Sequence, residues 1–181
     1  MRTVNPAIKK ARSLGLIASN SEIKIEIGMM FSANPFSVFA SKKSILGIFW
    51  RLVLRHHQIK YGFQIYPETQ IGEGFYLGHW GTVVINPKTK IGKNCNIAQG
   101  VNIAQANRGK NEGVPEIGNE VWIGPNAVIV GNIKIGNNVL IAPNSYLNTD
   151  VPSNSIVIGN PAEIISKNTA TEGYINHKID Y

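Results

Sequence analysis

The chain has 181 residues, 43% of them hydrophobic and 16% charged, with 18 glycines, one cysteine and a net charge of +7. That length suits one domain with a small appendage and a real core, and the composition excludes a disordered chain. The lone Cys95 excludes an internal disulfide framework and fits a reducing compartment. No apolar run is long enough to span a membrane, and the polar, basic start lacks the apolar stretch of a signal peptide, so a cytoplasmic protein is expected.

The charge is uneven: residues 1–64 carry ten Lys/Arg against two Glu, and residues 65–181 carry eight against nine acidic residues. A basic segment suits a phosphate-bearing ligand or an anionic surface. The interleaved aromatics of a single-strand binder are missing, so nucleic acid is not an expected partner. Residues 1–62 read as a short helical cap, with a helix at about 20–29 and a clearer one at about 43–59, capped by Ser41 or Ser44. The second helix gathers Ile45, Ile48, Phe49, Leu52 and Val53 largely on one side, bordered by Lys42, Lys43, Arg51 and Arg55. That face is expected to pack on the domain that follows. The alternative is a peripheral contact with the inner face of a membrane.

From Ile65 an aliphatic residue recurs every six positions. One run is Ile65, Ile71, Leu77 and Val83. After two extra residues the frame resumes as Ile85, Ile91, Ile97 and Ile103. A polar interruption covers 104–116, and the third run is Ile117, Ile123, Ile129, Ile135, Ile141 and Leu147. Four residues after most anchors stands a small or β-branched residue, such as Thr69, Thr89, Cys95, Val121, Ala127 or Ser145; Phe75 is the bulky exception. A period of six fits neither a helix nor a hairpin sheet. It fits a mainly β solenoid in which three hexads close one triangular coil and the anchors stack inside. The repeats fill residues 63–165, and a polar, irregular tail is expected over 166–181.

The hexads, together with Ile-Gly-Glu-Gly-Phe-Tyr-Leu-Gly-His at 71–79, Val-Trp-Ile-Gly-Pro-Asn-Ala at 121–127, Gly-Asn-Ile-Lys-Ile-Gly at 131–136 and Gly-Asn-Pro-Ala at 159–162, resemble the hexapeptide-repeat acyltransferases, in their serine acetyltransferase branch. The resemblance spans about 100 residues, from Gln64 to Ile165. It implies a left-handed parallel β-helix, acetyl-CoA as cosubstrate without a metal, and a homotrimer with sites between subunits. It also implies that His79 is the general base, since one neutral histidine can take the hydroxyl proton and later protonate the thiolate. His79 is the only histidine within the repeats; His56 and His57 fall in the helix and His177 in the tail.

Around it the acceptor-site candidates are Gln64, Tyr66, Trp80 and Gln99, the last about one coil above His79. On the donor side the resemblance implies Ala104, Gly124 and Ala142 along the pantetheine arm, with Asn160, Pro161 and Lys167 at the nucleotide end. Arg108 and Lys110 in the polar loop are candidates for the CoA phosphates. Cys95 sits in a small-residue slot and reads as a buried thiol. The family's acidic acceptor-side residues are replaced here by Gln64 and Gly78, and its Arg-His before the loop proline by Gly113 and Val114. Buried charges need partners, so a neutral acceptor is expected, a sugar hydroxyl in surface-polysaccharide synthesis. The alternatives are serine O-acetylation in cysteine biosynthesis and a non-catalytic β-helix scaffold. N-acylation of a nucleotide sugar would use the same donor. A zinc carbonic anhydrase on this fold needs three histidine ligands, which the repeats do not supply.

Overall fold

The computed structural model of the chain describes residues 45–175, 178 and 179. The expected helix at 20–29, the Ser41 or Ser44 cap and His177 lie outside the described residues. One helix, α1 (Ile45–Tyr61), leads into a parallel β-solenoid of about five turns.

Each turn of the solenoid places one short strand on each of three sheets. The first sheet holds β1 (Phe63–Ile65), β4 (Val83–Ile85), β7 (Asn102–Ala104), β10 (Val128–Val130) and β13 (Tyr146–Leu147). The second holds β2 (Gln70–Ile71), β5 (Lys90–Ile91), β8 (Glu116–Ile117) and β11 (Lys134–Ile135). The third holds β3 (Tyr76–Leu77), β6 (Asn96–Ile97), β9 (Val121–Ile123), β12 (Val139–Ile141) and β14 (Ser155–Ile158), and is closed by the antiparallel β15 (Glu163–Ser166). Strands of two or three residues survive because every coil hydrogen-bonds to the next along all three sheets.

The aliphatic anchors point inward as the six-residue period requires. Ile65, Ile85, Ile103, Ile129 and Leu147 stack along the first sheet, and all are buried. Ile97, Ile123, Ile141 and Val157 do the same along the third. Ile71, on the outermost coil, is only half-buried. The slot four residues past each anchor is buried too, with Thr89, Cys95, Val101, Val121, Ala127, Ile133 and Ser145 filling the corners. Corner turns need left-handed backbone, supplied by Asn94, Glu120, Asn126, Asn138, Asn144 and Asn154, or by glycine. At Gly100 (φ +77°) glycine is obligatory twice over, because the Asn126 side chain occupies the place a Cβ would take.

Coil length is not constant. Ile65 pairs with Ile85, 20 residues on; Ile85 pairs with Ile103, 18 on; Ile103 pairs with Ile129, 26 on. Three hexads make 18. The first coil therefore holds two extra residues, between Leu77 and Ile85, and the third holds eight, in the 104–116 segment. That segment is a β-hairpin: Ala106 and Gly113 exchange backbone bonds of 2.9 and 3.0 Å. Lys90 and Glu116 pair across its foot at 2.6 Å, which holds the Glu116 carboxyl below its usual range.

Helix α1 covers the open end of the first coil, but not with the expected face. Leu54 is the side chain sunk into the core, aided by Gln58 Nε2 donating to Ile65 O (2.6 Å) and Arg51 pairing with Glu68 (2.9 Å). Ile48, Phe49 and Leu52 are exposed instead. Tyr61, at the end of the helix, packs against the same core, so the coil end takes Leu54 and Tyr61 rather than the expected stripe.

The anchor column sets a stability prediction. Ile123→Ala should lower the free energy of unfolding by about 2–5 kcal/mol, because the filled column cannot close over the gap. Ile71→Ala, at the half-buried end, should cost clearly less. Urea unfolding of the two variants checks this, and equal losses would contradict a continuous column.

Candidate functional site

Two residues after each third-sheet anchor the chain turns towards the first sheet. The register Leu77–Ile97–Ile123–Ile141–Val157 therefore stacks His79, Gln99, Pro125, Pro143 and Gly159 along one corner of the solenoid. His79 stands on the coil with two extra residues, which widen this corner beside it. Gly81 (φ +131°) turns the chain there, its N–H donating to Tyr61 O (3.0 Å), and a Cβ at Gly81 would press on Gln99. With strands about 4.8 Å apart, the column from His79 to Gly159 rises roughly 19 Å and ends beside the Asn160–Pro161 turn.

An open cleft of about 270 Å³ lies against the lower part of this corner. His79, Gln99 and Pro125 form one side, and Tyr76, Asn96 and Trp122 of the third sheet form its floor. Tyr174 closes the far side. His79 is exposed, and its ring makes no hydrogen bond among the described residues, so both nitrogens are open to a ligand. Among the described residues no other ionic side chain lines the cleft.

The remaining candidates separate into groups. Gln64 and Tyr66 hydrogen-bond to each other on the outside of the first sheet, away from the cleft lining. Trp80 is exposed and also outside the lining. Arg108 and Lys110 are exposed near the hairpin tip, and Ala104 is half-buried at its foot, where its carbonyl accepts from Gly131 N at 3.2 Å. Gly124 is buried: a Cβ there would meet Pro143 N at 2.7 Å and the Trp122 ring at 2.9 Å. Ala142 is covered by Ala170, next to Leu140 and Trp122. Gly124 and Ala142 therefore shape the corner from within and offer no side chain at its surface. Asn160, Pro161 and Lys167 are exposed at the far end of the column.

The described residues of the C-terminal tail beyond Ser166 form no strand or helix, yet they are not a loose appendage. The tail runs back along the third sheet. Thr171 N and Oγ1 donate to Asn138 Oδ1 at 3.2 and 2.7 Å, and Asn138 Nδ2 donates to Asn168 O at 2.7 Å. Tyr174 rests on Trp122 with ring centres 4.8 Å apart. Lys178 pairs with Glu120 (2.6 Å), and Ile179 N donates to Asn94 Oδ1 (2.9 Å). One sequence signal for this was available. The outward positions of the second sheet are Gln70, Lys90, Glu116 and Lys134, as suits solvent. Those of the third are Tyr76, Asn96, Trp122, Leu140 and Ile156, as suits a covered face.

Cys95 is buried in its slot, where desolvation pushes its thiol up to about 12. It is structural, and it lies outside the cleft lining.

Comparison with known proteins gives a consistent picture. Residues 115–149 match the family described as bacterial transferase hexapeptide (six repeats). The chain is 34% identical to a serine acetyltransferase of Staphylococcus xylosus, over 72% of this chain and 59% of that one. Its fold superposes on serine acetyltransferases of Neisseria gonorrhoeae (TM-score 0.57, 30% identity, 67% of this chain, 49% of that one) and soybean (TM-score 0.59, 30% identity, 70% and 52%). The chain thus spans about half the length of these relatives.

Two outcomes follow from the tail and the thiol. Ending the chain after Ser166 should uncover Trp122 and shift tryptophan emission to the red; an unchanged spectrum would mean that the tail does not cover the third sheet in solution. Cys95 should resist a thiol reagent at pH 8 until the protein unfolds. Its raised pKa also has a sign: below about pH 9 the thiol is protonated in both states, whereas from pH 9 to 12 only the unfolded chain ionises. Stability should therefore fall with rising pH across that window, and Cys95→Ala should remove this part of the fall.

Proposed function

We propose that this hexapeptide-repeat chain of the serine acetyltransferase-like branch moves an acetyl group from acetyl-CoA to an acceptor hydroxyl, with His79 as general base. The observation that carries the reading is the position of His79: unbonded, at a widened corner, beside an open cleft, in a chain similar to enzymes of that activity.

The chemistry is a direct transfer. His79 takes the hydroxyl proton as the acceptor oxygen bonds to the thioester carbonyl carbon, which gives a tetrahedral oxyanion. Collapse breaks the C–S bond, and the imidazolium returns the proton to the departing thiolate. The donor's long arm would rise along the corner column from His79 past Pro125 and Pro143. Its nucleotide end would reach the Asn160–Pro161 turn and Lys167, with Arg108 and Lys110 free to meet phosphates. A homotrimer that places a neighbour's hairpin over the corner fits this arrangement.

Serine is the first acceptor to consider, because the relatives are serine acetyltransferases and one solved relative, from Neisseria gonorrhoeae, is a complex with serine. Nothing in these relatives supports the expected sugar acceptor of polysaccharide synthesis. A neutral acceptor stays a second reading on one observation: apart from His79, the lining of the cleft carries, among the described residues, no ionic side chain to meet a carboxylate and an ammonium.

Thiol release from acetyl-CoA, measured with serine and with a panel of sugars, decides between them. Release stimulated by serine supports the first reading, and release stimulated by a sugar alone supports the second. His79→Ala should lose roughly 10²- to 10⁴-fold in kcat and keep the wild-type circular dichroism spectrum, since its side chain is exposed and outside the core. Near-wild-type turnover by that variant would remove His79 from the chemistry.

A further inference from the structure

We propose that Asn96 and Gln99 together form a recognition pair that reads a hydrogen-bond donor carried next to the reacting hydroxyl of the acceptor. The inference rests on the reading that the acceptor hydroxyl sits at His79. It adds which part of the acceptor the protein inspects.

Asn96 Oδ1 and Gln99 Oε1 are buried oxygens with no hydrogen-bond partner among the described residues, and both residues line the cleft. Asn96 is 5% exposed. Its orientation is set from behind: Nδ2 donates to the backbone carbonyl of Tyr174 at 3.3 Å, and a carbonyl can only accept, so the amide nitrogen must face the tail. The oxygen is the atom left over. The other unpartnered buried groups, Arg51 Nε, Thr69 Oγ1 and Thr89 Oγ1, lie on the helix and at a different corner. An amide oxygen buried without a donor forfeits its hydrogen bond to water and gains nothing in return, and such groups are rare in folded proteins. Two of them on one coil, three residues apart, beside the same cleft, point to a ligand that supplies the donors.

The geometry narrows that ligand. Gln99 stands in register with His79, one coil up, or roughly 4.8 Å. A molecule with its hydroxyl at His79 therefore presents its next functional group to the Asn96–Gln99 pair. Two acceptor oxygens repel a carboxylate and welcome N–H or O–H groups. The matching chemistry is a donor vicinal to the reacting hydroxyl, which is the ammonium of a hydroxy amino acid or the neighbouring hydroxyl of a sugar. It also explains how a cleft without acidic side chains among the described residues selects an acceptor, since an acceptor lacking the donor would leave both oxygens buried and unpaired.

The test uses the full chain and two pairs of acceptors: serine against 3-hydroxypropanoate, and a hexose against its vicinal deoxy analogue. The wild type should prefer the donor-bearing member of its pair by roughly 10- to 100-fold in kcat/KM. Gln99→Met keeps the length of the side chain and removes the oxygen. It should reduce that preference to within about threefold and leave KM for acetyl-CoA unchanged. Asn96→Leu should act in the same direction, with tryptophan emission reporting whether Tyr174 stays in place. Which pair shows the effect separates an ammonium from a hydroxyl.

An unchanged preference in Gln99→Met would overturn the proposal. So would a rise in KM for acetyl-CoA alone, which would assign the oxygens to the amides of the donor arm. If the wild type releases no thiol with any acceptor, the acetyltransfer reading fails by itself. Calorimetric titration of the same four compounds then decides the pair. Donor-dependent binding that disappears in Gln99→Met keeps the pair, and no binding of any compound removes it.

Discussion

Everything in this structure depends on coil-to-coil pairing in register. Among the described residues no strand exceeds four residues, and a strand that short has no stability alone. Each coil is held because its backbone groups bond to the coil beneath and the coil above, while its three anchors drop into the common interior. The interior is filled by the aliphatic anchors, so the register cannot slip by one residue without turning the whole anchor set outward. That rigidity lets a corner side chain on one coil be placed dependably against the corner of the next.

Departures from an 18-residue coil are therefore informative. The pairing absorbs extra residues only at corners, where they bulge outward. The first coil puts its two extra residues at the His79 corner and thereby opens it. The third puts eight into the hairpin that carries Arg108 and Lys110. The last third-sheet step, Ile141 to Val157, is 16 residues, and the chain then reverses through Asn160–Pro161 into β15 and sends the tail down the third sheet. All three irregularities border the column that starts at His79 or the face next to it. A solenoid serving only as a spacer has no need of them.

The cleft is shaped by apolar and amide groups rather than by charge. Its floor is the covered face of the third sheet, whose outward ladder of Tyr76, Asn96 and Trp122 lies beneath the tail. Tyr174 thus has two tasks: it stacks on Trp122, and through its carbonyl it turns the Asn96 amide. Among the described residues, the tail positions the cleft without supplying an ionic group to it. On the proposed reading a ligand is distinguished by where it donates hydrogen bonds, because the Asn96 and Gln99 oxygens have no partner among the described residues.

Much of this was legible in the sequence. The period of six residues alone defined the anchors, the corners and both frame breaks, because each depends on neighbours a few residues apart. Gln99 could be placed above His79 by counting along that period, and Cys95 could be assigned to the interior from its slot. Other features were decided only by the tertiary structure. Ile48, Phe49 and Leu52 of α1 remained exposed because the coil end is filled by Leu54 and Tyr61 from the other side of the helix. Gly124 and Ala142 turned out to be packing positions because Pro143 and Ala170 lie over them. The docking of the tail joins residues as far apart as Asn94 and Ile179, and no periodic signal connects such positions. The unpaired oxygens of Asn96 and Gln99 arise from the same cause, since an unsatisfied buried group is defined by everything that surrounds it and not by its place in the chain.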